Sequence, residues 1–234
     1  LKVIWYVLTT GCRWHDVPPE MGRSGETART RLIDWQDAGV WDRLHLDMLR
    51  LLRRDGELER ETAIVDAVLV RAHGAGDKSG PSPVDRGKPG RKYTFAVNRQ
   101  GVPEAVRVSG ANVGDHHEIL PLVKEKLPAI PGRPGRPKQT PDVLIADAGY
   151  DGESTRHALR CLGIEPRIRK KAGAHGSGLG KIRWVVERTI GWVKGLRRMR
   201  ISYDRLTATI EAFATLAMTV INFRIWHHDL RPVN

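Results

Sequence analysis

Three acids in this chain stand where acids are costly or out of keeping with their neighbours. Glu187 lies in the middle of RWVVERTIGWVKGLRRMR, residues 183–200, a strongly basic amphipathic segment. Asp66 interrupts the apolar run AIVDAVLVRAHG, and Asp147 closes the short run DVLIAD. A carboxylate inside an apolar strand is expensive unless it is paired or bound to a metal. Carboxylate oxygens suit hard cations, and Mg2+ needs only a few of them because it keeps several waters. Three carboxylates supplied by three separate elements of a basic chain predict a divalent-metal site acting on a phosphate backbone. Paired cations there would lower the pKa of a water or 3′-hydroxyl and stabilise the leaving oxygen, with no covalent nucleophile from the protein.

Spacing on the helix supports this grouping. Arg183, Glu187 and Lys194 fall within roughly 40° of one another at about 100° per residue. Ile182, Val186, Ile190 and Val193 form an adjacent stripe suited to packing on a sheet. The cations Lys181, Arg183, Arg188, Lys194, Arg197 and Arg198 are candidates for contact with DNA. Each acid taken singly has a plainer reading. Arg183 and Glu187 could be an ordinary i,i+4 pair, and Asp147 could be a turn residue. Asp77, Asp85 and Asp151 stand in loops or at a cap and rank lower. The run Asp115–His116–His117 opens a helix, where adjacent side chains diverge, so it makes a poor metal site. Asn112 and Asp115 fit better as buttresses of a hairpin end. His73 follows the Asp66 strand and reads as a loop residue. GSGLG at 176–180 lacks the strand-first context of a dinucleotide-binding turn.

The whole chain agrees with an anionic partner. It has 234 residues, with 39 Lys and Arg against 27 Asp and Glu and a formal charge of +12. Such an excess favours polyanions through phosphate neutralisation. Cys12 and Cys161 lie far apart, which points to a reducing compartment and no disulfide framework. No signal peptide is evident. The late apolar stretch AFATLAMTVINFRIW is broken by Asn222 and Arg224, and reads as a core helix rather than a bilayer span. The expectation is a cytoplasmic protein without a membrane partner. The chain starts at Leu1, inside a helix, so a truncated start is expected.

The elements that must position the acids follow from periodicity. Residues 1–54 predict a small all-helical domain, either helix-turn-helix-like or a helical cap on the main domain. Ser24 is the expected N-cap and Gly39 the expected stop. Trp5, Trp14, Trp35 and Trp41 are expected in its core. Residues 60–228 predict the main domain. TAIVDAVLVRA is a strand and HGAGDKSGPSPVDRGKPGR a mobile loop. KYTFAVNRQGVPEAVRVSG is a hairpin and DHHEILPLVKEKL a helix. After the Pro-rich linker PAIPGRPGRPKQTP come strand PDVLIAD, helix DGESTRHALRCLG and strand IEPRIRK. A Gly-rich loop, KAGAHGSGLG, leads to helices at 181–200 and 206–227. The order is strand, strand, strand, helix, strand, helix, strand, helix, helix. It predicts an α/β fold, a ribonuclease-H-like mixed sheet flanked by helices. The first and fourth strands of that fold are neighbours, which would bring Asp66 and Asp147 to one sheet edge.

These residues also resemble a known family. IVDAVLVRAHGAG, DRGKPGRKYTFAVNRQGVPEAVRVSGANVGDH, VLIADAGYDG and GSGLGKIRWVVERTIGWVKGLRRMRISYDR are similar to bacterial insertion-sequence transposases of the DDE class. They match the insertion sequence 5 group of the insertion sequence 4-like superfamily. TGCRWHDVPPEMG and RLIDWQDAGVWDRL resemble the N-terminal helical part of those proteins. The resemblance implies a catalytic and metal-binding triad of Asp66, Asp147 and Glu187. It implies Mg2+ (or Mn2+) as cofactor, cleavage at transposon ends, and strand transfer into target DNA. It also implies a homo-oligomer assembled on double-stranded DNA in a bacterial cytoplasm. Arg183, Glu187 and Lys194 match the last three positions of a family signature, whereas the Tyr that should precede them is Gly180. That departure and the truncated start leave a second reading, a DNA-binding remnant without catalysis. A third is a host nuclease of the same fold, acting on RNA–DNA hybrids.

Overall fold

β-Branched residues dominate the longest strand, β1 (Thr62–Ala72), as its extended backbone favours. It pairs antiparallel with β2 (Pro89–Val97), and β2 pairs antiparallel with β3 (Pro103–Gly110). On its other side β1 runs parallel to β4 (Val143–Ala146), which in turn lies parallel to β5 (Glu165–Ile168). The central order is therefore β3–β2–β1–β4–β5. Two-residue stretches at Gly80–Pro81 and Ile201–Ser202 extend the ladder. This computed structural model describes residues 1–131, 139–170 and 180–230. The middle of the Pro-rich linker and the Gly-rich loop before the last acid lie outside the described residues.

Helices cover both faces, as the element order predicts. One face carries α4 (Asp115–Pro121), continued by a π-helical turn at Leu122–Lys126, and α5 (Glu153–Cys161). Ile119, Leu122, Val123 and Leu159 bury there with Val65 and Ala96 of the sheet. The other face carries α6 (Gly180–Gly195) and α7 (Thr207–Trp226). Helix α7 is apolar on every side, the mark of a helix enclosed by protein. Its length and composition would suffice for a membrane span, but 78% of the relevant window is buried in this fold.

The N-terminal helices α2 (Gly25–Asp37) and α3 (Val40–Arg54) pack on α7, while α1 (Lys2–Thr10) packs on α2 and on the turn at residues 197–199. One apolar cluster runs from Val3 and Leu32 through Leu49 to Phe213 and Ile225. The expected cap is present: Ser24 Oγ accepts the Thr27 N–H at 3.2 Å. Gly39 separates α2 from α3 with φ of 67°, a left-handed turn that Gly takes without steric cost. Trp41 is buried and donates Nε1–H to the Leu32 carbonyl, with Trp35 edge-on against it. Trp14 stacks on Phe213 of α7. Trp5 departs from expectation. It is exposed, because Val3, Ile4, Val7 and Leu8 already fill the inner face of α1.

Two further expectations need correction. The stretch after β1 is packed rather than mobile. The buried Arg91 guanidinium gathers it, donating to the Ala75 and Asp77 carbonyls at 2.9 and 3.0 Å and to Ser202 Oγ at 2.6 Å. Asp77 then caps α7 by accepting the Thr207 N–H at 2.9 Å, and Lys78 pairs with Glu211. A Gly-rich backbone has many carbonyls to satisfy, and one buried guanidinium satisfies several. The helix expected to reach residue 200 stops at Gly195, followed by a 3₁₀ turn at Arg197–Met199.

That early stop takes Arg198 out of the proposed DNA-contacting set. Its side chain is 3% exposed and makes a two-pronged pair with Asp204, at 2.9 and 3.0 Å. It also donates to the Cys12 carbonyl and lies near the rings of Trp14, Tyr203 and Phe213. Arg198 thereby ties the N-terminal helices to the sheet-bearing part of the chain. Removing one partner strands a buried charge, which costs about 3–5 kcal/mol. Arg198→Ala should lower the unfolding free energy by that much, while Arg197→Ala, at an exposed position, should leave it within about 0.5 kcal/mol; equal unfolding free energies would refute this role.

Candidate active site

Each of the three acids is delivered by a different structural cause. Asp66 sits mid-strand on β1 opposite Phe95 of β2, so it cannot move far. Its Oδ1 accepts the Ala67 N–H at 2.8 Å. Asp147 follows the last residue of β4. The parallel register pairs Ile64 with Ile145, so continuing it by two residues sets Asp147 level with Asp66. Asp147 caps a short 3₁₀ turn, Ala148–Tyr150, by accepting the Gly149 N–H at 2.8 Å.

Glu187 depends on how α6 is seated. Val185, Val186, Ile190 and Val193 bury against the sheet, so the expected apolar stripe is present and somewhat wider than the spacing suggests. The hairpin turn between β2 and β3 grips the same helix. Thr189 Oγ1 donates to the Gly101 carbonyl at 2.8 Å and Arg188 donates to the Gln100 carbonyl at 3.1 Å. Gly101 has φ of 91°, and a Cβ there would stand 2.6 Å from Arg188, so only Gly lets the turn approach so closely. Arg188 also lies over the rings of Trp184 and Trp192. Like Arg198, it is engaged by the fold, contrary to the expectation that it meets DNA. Lys194 and Arg197 are exposed, and the Lys181 side chain lies outside the described residues.

The acids meet at Arg183. Its Nη2 lies 3.3 Å from Asp66 Oδ2, 3.8 Å from Asp147 Oδ2 and 3.9 Å from Glu187 Oε1. The spacing on α6 puts Arg183 beside Glu187, on the face that carries the acid. It stands among all three acids, and its Nε is buried without a hydrogen-bond partner. One positive charge faces three carboxylates, so the site carries an excess of negative charge that favours further cations. Among the described residues, no three of His, Cys, Asp and Glu have closed into a ready-made metal cage.

Burial grades the three sites. The side chain of Asp66 is 19% exposed, that of Asp147 36% and that of Glu187 61%. Burial raises the Asp66 pKa above the usual carboxylate range and the Asp147 charge adds to the rise, while the Ala67 N–H and Arg183 oppose it. Tyr150 is buried beneath the pair. Desolvation, then the charges of Asp115, Asp66 and Asp147, raise its pKa and keep the hydroxyl protonated. Neither Tyr150 nor its neighbour Lys92 stands out in the sequence, since a Tyr in a turn and a Lys in a strand are common. The remaining candidates serve the fold. His73 donates its N–H to the Ser202 carbonyl, Asp151 pairs with Arg156, and Asn112 packs against Gly80 and Gly110. None of the three acids lines the cavity of about 910 Å3 bounded by Arg13, Trp14 and Arg29. The acids lie instead where β4 ends beside the middle of β1.

Comparison with known proteins agrees with this geometry. Residues 57–223 match the family model "Transposase DDE domain", and residues 1–45 match "Putative transposase of IS4/5 family". The chain is 47% identical over 144 residues to a Burkholderia cepacia protein named "Putative transposase for insertion sequence element IS402", covering 62% of this chain and 68% of that one. It is 52% identical over 84 residues to the B. cepacia "Insertion element IS402 uncharacterized 16.2 kDa protein", covering 36% of this chain and 57% of that one. Among solved structures, the catalytic core domain of BIV integrase matches with a TM-score of 0.41 and 14% identity, over 73% of this chain and 96% of that chain. Enzymes of the matched family generally use divalent metal ions. With the "Transposase DDE domain" model spanning most of the sequence, the chain belongs to the DDE transposase family of insertion sequences.

Proposed function

We propose that this chain cuts double-stranded DNA at the ends of its element and joins those ends to target DNA, with Asp66, Asp147 and Glu187 holding Mg2+ or Mn2+. The observation that supports this reading is the convergence of all three carboxylates on a single guanidinium nitrogen. A place that stabilises one cation by three carboxylates can stabilise others. The donors are all carboxylate oxygens, which suits hard divalent ions rather than thiophilic ones. When bound, such ions activate an attacking water or 3′-hydroxyl and stabilise the departing oxygen.

The chain's own residues do the rest. Asp66, held by strand pairing on β1 and by the Ala67 N–H, is the most fixed of the three. Glu187, on a helix and largely exposed, is the one open to the incoming strand. Arg183 leaves the carboxylates when cations arrive, and its guanidinium then serves a DNA phosphate, for which its geometry is suited. Lys194 and Arg197, with Lys181, extend this basic border along the backbone of the DNA. Element ends come in pairs, so the working form is a homo-oligomer on DNA, in the bacterial cytoplasm.

Four outcomes test the reading. Terminal-repeat DNA incubated with the protein and Mg2+ should be nicked, and Glu187→Gln should reduce nicking by at least the roughly 100-fold reached by outer-shell partners of metal sites. Undiminished nicking would remove Glu187 from the site, whereas salt-sensitive binding without nicking by the wild type would mark a DNA-binding protein only. Arg183→Ala should bind Mn2+ more tightly while the salt slope of DNA binding falls by about one; weaker Mn2+ binding would contradict the exchange. Asp66→Asn should raise the metal-free Tm at neutral pH. The sign follows from the raised pKa: the folded state holds the proton more tightly, so ionisation of Asp66 costs stability once pH exceeds its unfolded value. The gain should amount to a few degrees, at about 2–4 °C per kcal/mol for a chain of this size, and vanish as pH falls below about 4. A Tm difference independent of pH would refute it.

A further inference from the structure

A fourth carboxylate stands behind the site, and it approaches from the opposite face of the sheet. Lys92 lies on β2 three residues from Phe95, the partner of Asp66, so its side chain projects to the other face. There Lys92 Nζ bonds Asp115 Oδ1 and donates to the Val113 carbonyl at 2.5 Å. The Lys92 side chain is 8% exposed and that of Asp115 34%, so a buried ammonium meets a partly exposed carboxylate. The second oxygen of Asp115 points at the turn that carries Asp147. A Cβ placed on Gly149 would stand 2.7 Å from Asp115 Oδ2 and 3.1 Å from Asp147 Oδ1. The two oxygens are therefore no farther apart than those two distances laid end to end. Two carboxylates so close repel unless one is neutralised.

Resting on the assignment of Asp147 to the metal site, we infer that Asp115 is a positioning residue for it, acting by occupying Lys92. Without Asp115, the buried Lys92 ammonium would lose its carboxylate partner, with the Asp147 carboxylate lying just across Gly149. The ammonium would draw that carboxylate toward itself and away from the cations. With Asp115 present, Lys92 is satisfied and Asp147 keeps its charge for the site. The steric part is equally definite. Gly149 leaves no volume between the two acids, so Asp115 also blocks rotation of the Asp147 side chain toward Lys92. Asp115 thus serves the site without belonging to the triad, and neither of the adjacent histidines takes part in this pair.

Mn2+ titrated into the full-length protein, followed by electron paramagnetic resonance of the free ion, tests this without any turnover. Asp115→Asn should weaken Mn2+ binding by about tenfold or more. The double variant Lys92→Met with Asp115→Asn removes both charges of the pair, a change that buried pairs often tolerate, and should recover most of the lost affinity. A purely structural role would give no such recovery, because the double variant departs further from the native packing. Wild-type affinity in folded Asp115→Asn, or a double variant no better than the single one, overturns the proposal. If Asp115→Asn does not fold, the double variant decides alone: near-wild-type affinity supports the proposal and a tenfold loss overturns it. Asp147→Asn is the control for the underlying reading, since unchanged Mn2+ binding there would remove Asp147 itself from the site.

Discussion

Mutual repulsion among carboxylates is the constraint that organises this molecule. Asp66, Asp147 and Glu187 approach one guanidinium nitrogen, and Asp115 stands just behind. In water such charges would separate, so the fold must hold them against their own field. It does so with the stiffest parts available. The β1–β2 and β1–β4 ladders fix Asp66 and Asp147 in register, and the buried stripe of α6 fixes Glu187 above them. Arg183 and Lys92 then supply one positive charge on each face. The negative excess that remains favours further cations, while the raised pKa of Asp66 comes first from its burial, with the Asp147 charge adding to it.

The arrangement of α7 explains why so much chain surrounds so small a site. A helix buried on nearly all sides needs neighbours all around. The sheet and α6 cover part of it, and α2 and α3 cover much of the rest. The N-terminal segment, whatever it contributes to DNA binding, is therefore part of the core that seats α6. Arg198 reports the same dependence at the level of one residue, bonding Cys12 and Asp204 together.

The convergence of these three acids was legible in the sequence because it rests on regular periodicity. An acid at the middle of one apolar strand, another at the end of the next parallel strand, and a third beside a helical stripe are all features of spacing. The order of strands then decides that the first two are neighbours. What stayed hidden has a common physical cause. Arg91, Arg188 and Arg198 are cations that the fold consumes, and nothing in their local patterns distinguishes a buried guanidinium from a solvated one. Arg91 turns an apparently mobile Gly-rich loop into a packed one by gathering carbonyls, which have no sequence signature. Arg198 was grouped with the DNA-contacting cations of a helix expected to reach residue 200, but Gly195 ends that helix before it. The Lys92–Asp115 pair joins residues on opposite sides of a hairpin and a turn, a contact that only the tertiary register creates.

This division among the cations bears on how a net charge of +12 should be read. Charge steers a polyanion only where it is exposed and unpaired. Of the cations first grouped around Glu187, Arg188 and Arg198 hold the hairpin and the N-terminal helices, so neither adds to the outer field at short range. Arg183 is neutralised as long as the carboxylates keep it. Lys194 and Arg197 remain on the surface. Under the exchange proposed above, the arrival of cations would release Arg183 and cancel the negative field at once, so DNA would be held more strongly with cations than without them. Cation binding and DNA binding then favour each other through a single side chain, an equilibrium coupling that by linkage must run in both directions.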